Sequence, residues 1–306
     1  MQGYRVVRDG KGKPVALVKI PGRRKKKGKG NEEYLRQLLE YLPTAPYHGA
    51  LKVYDTMLND PHLDPWVVRE LGKHDRYFLL TMILHRSDAF HPWIYERCRE
   101  VEKEPDGVLD LWAREHYKST IITFAGIIQE ILKDPEITIG IFSHTRPIAK
   151  AFLRQIKHEF ETNDLLKKLY PDILWQNPKK EAPVWSLDDG IVVKRKSNPN
   201  VATVEAWGLV DSQPTSKHFK LMIYDDVVTQ ESVTTPEMIQ KTTKAWELSQ
   251  FLASQNKKEN EVGRAWHIGT RYHYADTYKV MIDRGMKTRI YPATKDGTYD
   301  GEPVLL

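Results

Sequence analysis

Residues 112–120 read W-A-R-E-H-Y-K-S-T, directly after the apolar run V-L-D-L-W-A (108–113) and at the head of an isoleucine-rich stretch that reaches Leu132. The run is a strand candidate and the stretch from Lys118 a helix candidate, which makes the nonapeptide a strand-to-helix turn. Such a turn binds phosphate when its backbone N–H groups point at phosphate oxygens, a lysine reaches the outer phosphates and a hydroxyl ligates magnesium. Lys118 and Ser119 stand at the lysine and hydroxyl positions of G-x-x-x-x-G-K-[ST]. Trp112 and Tyr117 stand where that pattern has its two glycines, although glycine is what permits positive φ and close backbone approach. A K-S-T tripeptide alone is a common accident, so its meaning rests on the rest of the chain.

Downstream, strand and helix patterns alternate. I-T-I-G-I-F-S (137–143) reads as a strand, 146–161 as a helix, 190–195 and 201–207 as a strand pair, and 219–226 as a buried strand. A long helix is expected over 236–254, a strand over 265–270, a helix over 274–284 and a last strand at T-R-I-Y-P. Strands alternating with helices predict an α/β fold with a mainly parallel sheet, whose ligands sit at the carboxyl ends of the strands. Roughly a hundred residues after the turn, K-L-M-I-Y-D-D puts Asp225 and Asp226 at the end of an apolar strand. That is where a phosphate-loop enzyme holds its magnesium-binding aspartate and the carboxylate that orients the attacking water.

Upstream, E-E-Y-L-R-Q-L-L-E-Y-L spaces Leu35, Leu38, Leu39 and Leu42 for a helix that Pro43 ends, and Pro92 opens another. Residues 1–20 alternate weakly and predict a hairpin around Asp9-Gly10. The net charge of +6 equals the six cations of P-G-R-R-K-K-K-G-K-G (21–30), so the basicity is a local patch suited to non-specific phosphate contact. The single cysteine, Cys98, excludes an intrachain disulfide and fits a reducing compartment. No apolar run approaches bilayer length and no signal-peptide pattern opens the chain, so a soluble cytoplasmic protein is expected.

A-R-E-H-Y-K-S-T together with K-L-M-I-Y-D-D resembles the ATPase domain of the large terminase subunit of tailed bacteriophages, the motor that pumps DNA into preformed capsids. The family's loop usually has an arginine four residues before the lysine, matched by Arg114, and a glycine directly before it, which is Tyr117 here. The usual Asp-Glu pair is Asp225-Asp226, and I-G-T-R (268–271) resembles the family's coupling motif through Gly269 and Thr270. The resemblance covers about residues 90–306 and implies an α/β P-loop NTPase of the ASCE type, with a central mainly parallel sheet flanked by helices. It divides the chain into a flexible basic segment (1–30), a helical N-terminal extension (31–90) and the ATPase domain (91–306). The family's nuclease domain is expected to follow E-P-V-L-L (302–306), so DNA cleavage is not expected of these residues.

By the same resemblance the substrate is ATP with Mg²⁺. The nucleotide loop is Arg114, Glu115, His116, Tyr117, Lys118, Ser119 and Thr120. Lys118 contacts the β and γ phosphates, and Ser119 and Asp225 hold the metal. Asp226 orients water, with Glu231 in reserve, and Arg114 reaches the γ-phosphate or a neighbouring subunit. Arg146 and Lys217 are candidates for a finger acting in trans, and Trp93, Tyr95 and Arg97 for stacking on adenine. His116 and His144 are expected at the nucleotide end of the sheet, and K-R-K (194–196) and the 23–29 cluster are candidate DNA contacts. Implied partners are double-stranded DNA, the portal protein, the small terminase subunit and copies of the chain in a ring, commonly a pentamer, in the host cytoplasm. Two alternatives remain open at this level: a helicase-like P-loop ATPase, and a catalytically silent nucleotide-binding ring component.

Overall fold

The computed structural model describes residues 4–8, 14–19, 29–256 and 261–305. The N-terminal hairpin is present: β1 (Tyr4–Arg8) pairs antiparallel with β2 (Pro14–Lys19). Its turn and the basic run at 21–28 lie outside the described residues. Helices α1 (Lys29–Tyr41), α2 (Tyr47–Leu58), α3 (Pro65–His74), the single turn α4 (Arg76–Phe78) with its π-helical continuation Leu79–Ile83, and α5 (Pro92–Lys103) follow. Proline opens α3 and α5 at the first helical position, where its missing N–H costs nothing. The side chains of Asp64 and His91 accept from the next free amides at those two starts.

The remainder alternates. It runs β3 (Val108–Trp112), a π-helical turn (Thr120–Ala125) leading into α6 (Gly126–Lys133), β4 (Ile139–Ser143), α7 (Arg146–Thr162), α8 (Asp164–Leu169) and α9 (Pro178–Glu181). Then come β5 (Trp185–Ser186), β6 (Gly190–Ile191), β7 (Val204–Gly208), β8 (Leu221–Asp225) and α10 (Pro236–Ser249). The small ribbon β9 (Gln255–Asn256) with β10 (Glu261–Val262), then β11 (Arg264–Gly269), α11 (Thr277–Asp283) and β12 (Lys287–Tyr291) complete the chain. Eight strands form one sheet in the order β12-β3-β11-β8-β4-β7-β6-β5. The first six are parallel, and the β7–β6 and β6–β5 pairings at one edge are antiparallel.

The expected strand pair at 190–195 and 201–207 is much shorter than predicted, with its strand pairing at Ile191 and Val204. The helix expected over 236–254 stops at Ser249 and tightens into a last turn at Gln250–Leu252.

Strands β3, β4 and β8 are buried along their whole length, as befits a parallel sheet covered on both faces. Alternate residues serve two cores. Leu221 and Ile223 face the core that also holds the N-terminal helices, while Met222 and Tyr224 face a second one with Leu109, Leu111, Trp246 and Tyr278. The N-terminal helices therefore share a core with the sheet. No helix among the described residues is long and apolar enough to cross a membrane.

One buried ion pair clamps the edge strand β12 onto the loop-bearing strand β3. Arg289 donates from Nε and Nη2 to the two carboxylate oxygens of Asp110, both at 2.7 Å, and Trp112 Nε1 donates to the same carboxylate at 3.0 Å. Burial raises the Asp110 carboxyl above its ordinary pKa despite this partner. Removing the guanidinium alone strands the carboxylate, so Arg289→Ala is expected to cost about 3–5 kcal/mol in urea unfolding. A loss below about 1 kcal/mol would show that the pair contributes no more than a surface bridge.

Candidate active site

The turn after β3 delivers the loop. Ile121 N–H donates to the Tyr117 carbonyl at 2.8 Å, the first i→i−4 bond of the helix. The amides of Lys118, Ser119 and Thr120 precede it and by geometry have no intrahelical acceptor, which leaves three N–H groups and the positive end of the helix dipole at this point. Two loop residues are left-handed: Glu115 at φ 63° and Tyr117 at φ 58°. Tyr117 occupies the second glycine position of the pattern, and its backbone takes the conformation that glycine adopts without strain. A bulky side chain there costs on the order of 1–3 kcal/mol. Partial compensation comes from the ring, which packs on the core, and from the hydroxyl, which donates to Asp88 Oδ2 at 3.0 Å. Asp88 is in turn paired with Arg86 at 2.7 Å, which holds its carboxyl below the usual range.

The acids converge on this loop. Asp225, at the end of β8, is fully buried; it accepts from Ser119 Oγ at 3.1 Å and from Thr123 Oγ1. Ser119 and Thr123 are four residues apart on one helix, so both hydroxyls face the same carboxylate. Burial, and then the neighbouring Asp226, push the Asp225 carboxyl up to about 7. Asp226 turns the chain at φ 50° and donates its N–H to the Ile268 carbonyl at 3.1 Å. Its Oδ1 lies 3.7 Å from Lys118 Nζ, beyond hydrogen-bond reach, and is buried without a hydrogen-bond partner among the described residues.

Between β3 and β8 lies β11, whose tip carries the next pair. A Cβ on Gly269 would stand 2.0 Å from the Tyr278 hydroxyl, so only glycine fits there, and Thr270 Oγ1 donates to the Trp112 carbonyl at 3.2 Å. The tip therefore touches the strand end from which the loop departs. Two residues on, Tyr272 holds Arg114: its hydroxyl accepts from both Nε and Nη2, and the guanidinium lies 5.2 Å from the ring centre.

The expected residues thus gather, with corrections among the candidates. Lys118, Ser119, Asp225, Asp226, Gly269 and Thr270 meet at the carboxyl ends of three strands. His116 and His144 lie at the same end. His116 is buried edge-on to Trp93, with Nδ1 donating to the Arg114 carbonyl at 2.7 Å. His144 meets the Val227 carbonyl through Nδ1 at 3.2 Å. Tyr95 is not placed to stack on a base, because it is buried with its hydroxyl on the carbonyls of Leu42 and Ala45. Arg146 is tied to the Asp188 carbonyl at 2.6 Å and Lys217 to Glu205 at 3.0 Å, so neither projects as a finger. Glu231 is exposed in the turn Glu231–Val233, whereas Asp226 stands beside the lysine. Thr123, Tyr272, Tyr278 and Asp88 were not anticipated. Only Thr123 had a legible signal, its i+4 spacing from Ser119.

A cavity of about 450 Å³ adjoins the loop, lined by Asp88, His91, Ile94 and residues 114–117 together with the C-terminal segment at Ala293, Thr294, Pro303 and Leu305. Trp93 and Arg97 sit behind it, with the Arg97 guanidinium over the Tyr291 ring at 4.1 Å. No group of three or more His, Cys, Asp or Glu among the described residues is arranged to hold a metal. Ser119 Oγ and the Asp225 carboxylate instead offer two hard oxygen donors, which suit Mg²⁺ when phosphate and water complete the shell. A scan against protein-family models matches none, and no curated protein matches the chain.

The left-handed Tyr117 has a direct thermodynamic signature. Glycine ordinarily loses to alanine in a folded chain, but here Tyr117→Gly is expected to be about 1 kcal/mol more stable than Tyr117→Ala in chemical denaturation. Tyr117→Phe, which loses only the Asp88 bond, should cost about 1 kcal/mol relative to the parent. An alanine variant as stable as the glycine variant would exclude the left-handed loop.

Proposed function

We propose that the chain is an ATP-hydrolysing motor domain of the large-terminase kind, a P-loop NTPase of the ASCE type that drives double-stranded DNA into a procapsid. The observation that carries this reading is the convergence of Lys118, Ser119, Asp225 and Asp226 at one helix N-terminus. The strand order supports the finer fold assignment, because β11 stands between the loop-bearing β3 and the acid-bearing β8 and brings Gly269 and Thr270 to the same point.

Phosphoryl transfer needs positioning and charge stabilisation more than covalent help from the protein. The amides of residues 118–120 and the Lys118 ammonium neutralise the phosphate oxygens, and phosphate competes with Asp226 for that ammonium. Asp226 Oδ1 is then available to accept from the water that attacks the γ-phosphorus as the bond to the bridging oxygen breaks. Its side chain is one methylene shorter than the glutamate of the usual pair, so the water is held closer to the strand end. Ser119 and Asp225 would hold Mg²⁺, which would supply further charge neutralisation when bound. Thr123 fixes the Asp225 carboxylate through its second oxygen. Arg114, held by Tyr272 at the loop's rim, is a further cation for the γ-phosphate or for a neighbouring subunit. The cavity of about 450 Å³ beside the loop is large enough for the base. The portal protein, the small terminase subunit and a ring of copies, commonly five, belong to the same reading.

Steady-state hydrolysis of ATP tests it. Parent protein with Mg²⁺ is expected to turn over ATP with a specific activity that rises with protein concentration, as a ring assembles. Lys118→Ala and Asp226→Ala are expected to lower kcat at least about a hundredfold, and chelation of the metal to abolish turnover. ATP binding without turnover at any concentration would favour the catalytically silent ring component instead.

A further inference from the structure

The end of the sheet away from Lys118 holds a second cavity, of about 420 Å³, whose wall is dominated by cations. Arg69 and Lys73 come from α3, Lys133 from the last turn of α6, and Lys194, Arg195 and Lys196 from the segment after β6. Lys73 and Lys133 are paired with Glu70 and Glu130 beside the cavity at 3.1 and 2.9 Å, and the two carboxylates in its wall among the described residues are both engaged. Asp172 takes a bidentate bond from Arg69 at 2.6 and 2.7 Å, and Glu136 accepts the backbone amides of Lys196 and Ser197 at 2.5 and 3.0 Å. Glu136 thus orders the cationic segment through its backbone and leaves the lysine side chains outside that contact. Arg195 gives one nitrogen to the Val201 carbonyl at 2.9 Å, while its Nη1 is buried with no acceptor among the described residues.

The aromatic rings nearest this wall already carry cations. The Arg69 guanidinium lies over Tyr170 at 5.2 Å and the Lys194 ammonium over Trp175 at 5.3 Å. Single-strand binders need open aromatic faces on which bases stack, whereas contact with a duplex backbone needs only placed cations. We propose that this cavity and its rim are the face on which the chain grips the phosphate backbone of duplex DNA, without reading bases. The proposal deepens the motor reading by placing its DNA contact, but duplex binding at this face requires no ATP. A single helical rod joins the two ends: it starts at Lys118 in the loop and ends at Lys133 in the cationic wall, about 24 Å away.

The test is duplex binding by the whole chain without nucleotide, followed by fluorescence anisotropy on a short random-sequence duplex over a salt series. Lys133→Gln/Lys196→Gln is expected to make the slope of log K against log salt shallower by about two, equally for unrelated sequences. The charge-keeping pair Lys133→Arg/Lys196→Arg should restore the parent slope, which separates lost charge from lost folding. Lys25→Gln/Lys26→Gln reports the separate contribution of the basic run and should add to the first effect. A slope unchanged by the glutamine pair overturns the assignment of this face and leaves the ATPase reading standing. So does equal loss of affinity for oligo-dT and duplex, which would assign the wall to single strands, or loss confined to inorganic phosphate, which would make it a small-anion site. A chain that fails to hydrolyse ATP yet shows the slope change keeps the DNA face and loses the motor.

Discussion

Everything at the carboxyl end of the sheet depends on the Asp225 carboxylate, which is removed from water and accepts from Ser119 and Thr123. A buried carboxylate must be satisfied, and its two donors lie on one helix face, so the helix that follows the loop can take only one rotation about its axis. That rotation aims the first amides of the helix and Lys118 toward the ends of β8 and β11. The π-helical turn at Thr120–Ala125 lies in the same segment, where the widened backbone accommodates the tether. The same carboxylate is held well above its ordinary pKa by the burial that makes it a strong organiser.

The rest of the site is built around this tether in layers of decreasing rigidity. Gly269 is fixed against Tyr278 with no room for a side chain, and Thr270 touches the backbone of β3. Asp226 is pinned by its amide to β11 while its carboxylate retains a buried oxygen with no hydrogen bond. Arg114, at the outer rim, is held through Tyr272 and is exposed. The groups at the rim are thus the ones with the weakest attachments, and the groups that define geometry are the ones with none to spare.

How much of this was legible in the sequence follows from the range of the interactions involved. Local rules located β3, β8, β11, the loop helix and both acids, because alternation, strand-end acids and i+4 spacing are encoded within a few residues. The neighbour relations were not legible: that β11 lies between β3 and β8 depends on pairings such as Arg264 with Leu221 and His267 with Leu109, which join residues far apart in the chain. Tyr117 looked like a defect in the pattern because its partner, Asp88, stands 29 residues upstream in a different element. Tyr95 looked available because its chain position is near the loop, yet α5 turns it toward Leu42 and Ala45. Arg146 and Lys217 were sensible by charge alone and are consumed by the acceptors around them.

The aromatic cluster behind the loop gives the molecule an optical property. Trp93 and Trp112 stand edge to face at 5.6 Å, and Trp93 is equally close to the His116 imidazole, which belongs to the loop itself. Indole emission shifts with local polarity, so Trp93 and Trp112, two of the eight tryptophans, are natural chromophores packed behind the loop. The protein thus carries an intrinsic fluorophore in contact with its loop, readable in unlabelled material and in real time.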